Sequence, residues 1–139
     1  MLIEINNTTK HKINKKLLRK ATEVFYQKFK LKNSSVSVAI VTESAIKKLN
    51  RQYRHKDSVT DVLSFESDSA QYLGEVVLCY KQIECQAKEL NHKIDEEFLF
   101  IFIHGLLHLL GYDDKTEAGW QNMEKIGHKL CKSVMADKS

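Results

Sequence analysis

The chain has 139 residues and carries 22 Lys and Arg against 18 Asp and Glu, a formal net charge of +4. That length suits a single domain (1–139) built on one core, and neither a secretory signal at Met1 to Asn6 nor an apolar run long enough for a bilayer is present. Three cysteines, Cys79, Cys85 and Cys131, with no Cys-x-x-Cys pair, argue against a disulfide framework and a thiolate zinc site, so a cytoplasmic protein with no membrane association is expected.

Taken in chain order, Leu2 to Ile5 reads as a first strand. Asn14 is an N-cap for a helix whose Leu17, Leu18, Ala21, Val24, Phe25 and Phe29 form one apolar stripe, with Lys15, Lys16, Arg19, Lys20 and Lys28 largely off it. Alternating Val36, Val38 and Ile40 give a half-buried strand, and a helix over about Ser44–Tyr53 turns Ile46 and Leu49 inward. Strands at Val62–Phe65 and Leu73–Cys79 flank a polar turn and read as a hairpin. A helix over about Lys81–Leu90 follows. Asp95, Glu96 and Glu97 then open the most apolar segment, and their charge suits a helix N-terminus. Phe98 to Leu110 is apolar on every face apart from two histidines and a glycine, which predicts a central buried helix ended by Gly111. A last helix over about Lys115–Met135 carries Trp120, Met123, Ile126 and Leu130 at helical spacing, and Trp120 reads as core rather than as a nucleotide platform. With no Pro, five Gly and no internal repeat there is no linker. The sum is an α+β domain with an about four-stranded mixed sheet.

Charge is unevenly spread: residues 1–60 carry 14 Lys and Arg against 4 Asp and Glu, and residues 61–139 carry 8 against 14. A basic half suits a polyanion such as RNA, and an acidic half near histidines suits a metal. A solvated basic helix face explains the first of these equally well.

The informative run is His104-Gly105-Leu106-Leu107-His108-Leu109-Leu110-Gly111-Tyr112-Asp113-Asp114. Residues four apart on a helix lie about 40° apart around its axis, so both imidazoles project from one face and can chelate one ion. Gly111 permits a sharp turn, and Asp114 beyond it can return to the same ion. Two histidines and one carboxylate leave a position open, as catalytic zinc sites do. The alternative is a pair of core histidines. It is disfavoured because unpaired imidazole nitrogens in an apolar helix cost roughly 1–3 kcal/mol each, which one ion relieves for both. In HExxH metalloproteases a Glu follows the first His as general base. Here Gly105 stands there, so this helix supplies no such base.

The run from His104 to Asp113 resembles the signature of the YbeY family of bacterial metal-dependent endoribonucleases. So do Leu49-Asn50-Arg51-Gln52-Tyr53-Arg54, Asp57, Thr60-Asp61-Val62-Leu63-Ser64-Phe65 and Leu73-Gly74, in the family's order and spacing over residues 49–114. Asp114 stands where the family has its third metal-binding His. Carboxylate oxygen binds zinc at about 2.0–2.2 Å, much as imidazole nitrogen does, so the site survives the exchange while Mn2+ or Fe2+ becomes more competitive with Zn2+. Glu75 replaces the family's usual Asp, and Val59 and Glu66 stand where prolines are common.

The resemblance implies one Zn2+ per chain and cleavage of single-stranded RNA. It further implies a role in ribosomal RNA maturation, at the 3′ end of 16S rRNA, and in ribosome quality control, with the small ribosomal subunit and assembly factors as partners. Arg54 matches the arginine the family places near its cleft and would offer a guanidinium fork to phosphoryl oxygens, unless it is a surface group paired with Asp57. Lys47, Lys48, Arg51 and Lys56 would add diffuse phosphate attraction. Asp113 reads equally as a proton acceptor, as a carboxylate orienting a ligand histidine, or as a turn-forming acid. Tyr112 is expected to pack beside the helix end and Asp61 to brace the third strand. The cysteines read as small buried hydrophobes, and His11, His55, His92 and His128 have no partner spacing. Two rival readings are open: a zinc metallopeptidase-like hydrolase, and a non-catalytic ribosome-assembly factor with a structural metal.

Overall fold

A computed structural model describes residues 2–136, so the expected limits at 1 and 139 lie outside the described residues. The elements run β1 (Ile3–Asn7), α1 (Lys15–Lys28), β2 (Ser35–Val41), α2 (Glu43–Arg54), β3 (Val62–Glu66), β4 (Tyr72–Cys79), α3 (Tyr80–Glu89), α4 (Ile94–Leu109) and α5 (Glu117–Ala136). Each element expected from the sequence is present. The boundaries move slightly: β1 continues to Asn7, and α5 starts two residues later than its apolar spacing suggests.

The four strands form one mixed sheet in the order β1-β2-β4-β3. β1, β2 and β4 are parallel, while β3 pairs antiparallel with β4 and forms one edge, as the hairpin reading requires. Side chains alternate along each strand, so the sheet has two apolar faces. Val36, Val38 and Ile40 of β2 and Val76 and Leu78 of β4 face a large core that includes Leu18 and Phe25 of α1, Phe102 and Leu106 of α4, and Met123 of α5. Val77 and Cys79 of β4 and Leu63 of β3 point the other way, onto Ile46 of α2. The protein is a single α+β domain with α2 on one face of the sheet and α1, α4 and α5 on the other.

Local chemistry sets the ends of these elements. Asn14 Oδ1 accepts from Leu17 N at 3.0 Å to cap α1, and Thr42 Oγ1 accepts from Ala45 N at 3.3 Å to cap α2. α2 closes on His55 in the left-handed conformation, φ 59°. Opposite Ser35 and Val36, β4 inserts Leu73 as an extra residue, and Gly74 takes φ +139° beside the Phe65 carbonyl. A side chain at Gly74 would collide with that carbonyl, which explains the Leu73-Gly74 pair in the sequence.

α4 carries the site, and its placement depends on Gly105. A Cβ there would lie 2.8 Å from Val76 Cγ1 and 3.1 Å from Val62 Cγ2, so the bare backbone lets α4 press against β3 and β4. Ser64 Oγ of β3 donates to the Gly105 carbonyl at 2.9 Å and fixes the crossing. The residue that would be a general base in an HExxH helix is thus turned onto the sheet.

Two core expectations are corrected. Trp120 is 49% exposed rather than buried, because α5 turns Met123, Gly127, Leu130 and Val134 inward and its first turn stands clear of the main core. Cys85 is exposed, since α3 buries Ile83 and Ala87 and position 85 points between them to the opposite side; Cys79 is buried and Cys131 half-buried. Among the described residues no helix is long and apolar enough to cross a membrane.

Candidate metal centre

His104 and His108 lie in the last turns of α4, where the helix passes the sheet edge and opens to a cleft of roughly 920 Å³. Each is partly exposed, at 18% and 30% of its side chain, within a helix otherwise buried on most faces. Gly111 follows with φ +95°, which reverses the chain and lets Asp114 come back over the helix end. His104 Nε2 and His108 Nε2 are 3.2 Å apart, and Asp114 Oδ2 is 3.5 Å from each.

These distances test whether the donor set fits an ion. Three atoms so separated share a centre about 2.0 Å from each, close to the bond length of zinc to imidazole nitrogen or carboxylate oxygen. The protonation state agrees. Burial first, and the neighbouring His108 second, push the His104 pKa below its usual value, while Asp114 and Asp61 oppose the shift. A neutral His104 carries one ring-nitrogen lone pair and no charge, the state in which imidazole ligates a metal. A proton shared by the two imidazoles satisfies one contact of the three, whereas a divalent cation satisfies all of them.

The remaining predicted residues are arranged around this cluster. Arg54, at the end of α2, and Asp113 both line the cleft. Asp57 reaches Arg51 Nη1 at 3.9 Å, so the pairing considered for Arg54 is made by Arg51 instead. Asp113 Oδ1 accepts from Lys115 N, which makes it the hinge of the turn that delivers Asp114; it makes no hydrogen bond to either histidine among the described residues. Tyr112 packs edge-on against Phe29, as expected. Asp61 braces the start of β3: its carbonyl accepts from Cys79 N at 2.9 Å and its Oδ2 from Gln86 Nε2 at 3.2 Å. The four other histidines stay out of the cluster. His11 stacks on Tyr80, His55 caps α2, His92 meets Glu97 and His128 meets Glu124.

Some contributors are not singled out by residue type and spacing. Asn50 is 1% exposed, and its Nδ2 donates to the Ser58 carbonyl at 3.0 Å, tying the 55–58 loop back to α2 beside Arg54. The only signal for it is its place inside the Leu49–Arg54 segment. Gln86 bridges Asp61 to the buried Glu97. No pattern announces that bridge, because it joins three elements distant in sequence.

Fold and site together define a class: a small α+β protein whose cleft is built around a cluster able to hold one divalent ion. The sequence profile of the family described as Endoribonuclease YbeY matches residues 3–135. An Endoribonuclease YbeY of Francisella philomiragia is 34% identical over 138 residues, covering 92% of this chain and 87% of that one. One of Finegoldia magna is 44% identical over 105 residues, covering 70% and 69%. A solution structure of a Thermotoga maritima protein superposes with a TM-score of 0.66 at 31% identity, covering 99% of this chain and 94% of the other. The chain belongs to the endoribonuclease YbeY family.

Proposed function

We propose that the chain is a metal-dependent endoribonuclease that cuts single-stranded RNA, acting in ribosomal RNA maturation at the 3′ end of 16S rRNA and in ribosome quality control. Its partners are then the small ribosomal subunit and assembly factors, and its place is the cytoplasm. The observation that carries the reading is the convergence of His104, His108 and Asp114 at the mouth of a cleft that Arg54 also lines. Relatives named as endoribonucleases over most of the chain support it.

His104, His108 and Asp114 would hold the ion, Zn2+ first, with Mn2+ or Fe2+ competing because Asp114 is a harder ligand than histidine. Such an ion supplies Lewis acidity toward a phosphoryl oxygen and toward water. The other work falls to the chain's own groups. Burial keeps His104 neutral and able to coordinate. The Arg54 guanidinium offers paired N–H donors where negative charge grows on phosphoryl oxygens, a geometry an ammonium does not match. Asp113 is assigned the proton-accepting role, since Gly105 faces the sheet and one carboxylate oxygen of Asp113 lies outside its turn hydrogen bond. The same placement of Gly105 counts against a peptidase of the HExxH kind.

The test is to incubate the metal-loaded chain with labelled single-stranded RNA and, separately, with casein. RNA cleavage is expected, reduced about 100-fold in Arg54→Ala, with Arg54→Lys restoring only part. Casein cleavage with intact RNA would replace this reading by the peptidase, and no cleavage of either by the Zn2+- or Mn2+-loaded chain would leave a non-catalytic assembly factor.

A further inference from the structure

We propose that Trp120 is a stacking platform for one nucleobase of the single strand held in the cleft, and so helps fix the register of the strand relative to the cut. The proposal rests on the endoribonuclease reading and adds a base-binding residue to it. Indoles are among the largest apolar side chains and are mostly covered in folded proteins, yet Trp120, the sole Trp of the chain, is 49% exposed. It lines the same cleft as His104 and His108.

Its setting is rigid. Trp120 N donates to the Thr116 carbonyl at 2.9 Å and Gly119 N to Thr116 Oγ1 at 3.0 Å, which locks the first turn of α5. Gly119 packs against the Asp113 carbonyl so closely that a Cβ there would collide with it. The backbone turn bearing the indole is therefore clamped to the turn bearing Asp114, and the Trp120 Cα keeps a fixed offset from the site. With the backbone held, a ligand that settles on the indole orders one side chain and no loop.

The chemistry of the surroundings selects a base. Among the described residues no aromatic ring stacks on Trp120, whereas Tyr53, also exposed in this cleft, meets Phe65 edge-on at 5.1 Å. The cleft it lines mixes apolar side chains, Phe100 and Ile101 among them, with the charged Asp113, Lys115 and Glu124. An exposed indole in a cleft lined by both apolar and charged groups suits a ligand with apolar faces and polar edges, as an unpaired base has, better than an aliphatic protein side chain.

Because this Trp is unique, its fluorescence reports stacking directly. The full chain is titrated with a short 2′-O-methyl oligoadenylate and with an abasic strand of equal length and charge. Saturable quenching by the first and little by the second is expected; anisotropy of the labelled oligoadenylate, which does not need the indole, is expected to show affinity falling roughly ten-fold in Trp120→Ala and held within about three-fold in Trp120→Phe. Equal affinity in wild type and Trp120→Ala, or equal quenching by the abasic strand, would overturn the platform while leaving the nuclease reading intact. Absence of binding to any strand, followed by anisotropy of labelled RNA, would overturn both.

Discussion

Cys131 shows how burial converts one side chain into a pH-dependent contribution. It is half-buried on α5, and desolvation first, with the Glu97 charge second, pushes its thiol up to about 12. An unfolded chain ionises the same thiol near its ordinary value. The folded state therefore holds a proton that the unfolded state has lost, so the contribution is complete below about pH 8.5 and fades as pH rises toward 12. Urea unfolding of wild type and Cys131→Ala should show a stability gap that narrows across that range, and a gap that widens would contradict the assignment. At this scale the sequence is most legible where chemistry constrains spacing. His104 and His108 share a face because they are four apart, and Asp114 returns because Gly111 can turn. Trp120 departs from its expected burial because helical spacing gives the phase of a helix but not the point at which it meets its neighbours.

The elements depend on two glycines in different ways. Gly74 has φ +139° and faces the Phe65 carbonyl, whereas Gly111 has φ +95° and nothing within 4 Å of where a Cβ would sit. Gly74→Ala combines backbone strain with collision and should cost about 3 kcal/mol or more, while Gly111→Ala carries strain alone, about 1 kcal/mol. Chemical denaturation of the two variants measures the difference, and equal losses would show that the β4 bulge does not need its glycine. Periodicity reveals the type of every element, and Asn14 its cap. What it does not reveal is the role of Gly105, which reads as a weak point inside a helix and is in fact the contact that seats α4 on Val62 and Val76.

Across the whole molecule the charge asymmetry acquires a location. Lys47, Lys48, Arg51 and Arg54 are exposed along α2, which ends at the cleft, so the basic half supplies an approach to the half that carries His104, His108 and Asp114. RNA affinity should fall with salt, and Lys47→Ala with Lys48→Ala should flatten the logarithmic slope by about one unit for each phosphate that is no longer neutralised; an unchanged slope would mean that the strand takes another path. The strand order β1-β2-β4-β3 is not legible from residues 1–139, because it depends on which crossover α2 makes, and local pattern does not encode that. The hairpin of β3 with β4 is legible, being local.

The proposed function turns on His104, His108 and Asp114 binding one ion. Elemental analysis of the untagged chain beside His104→Ala, His108→Ala and Asp114→Asn tests it most directly. About one divalent ion per wild-type chain is expected, falling to a small fraction in either histidine variant and to an intermediate or lower level in Asp114→Asn. Wild-type content near zero after growth with metal, or undiminished content in both histidine variants, would contradict the account.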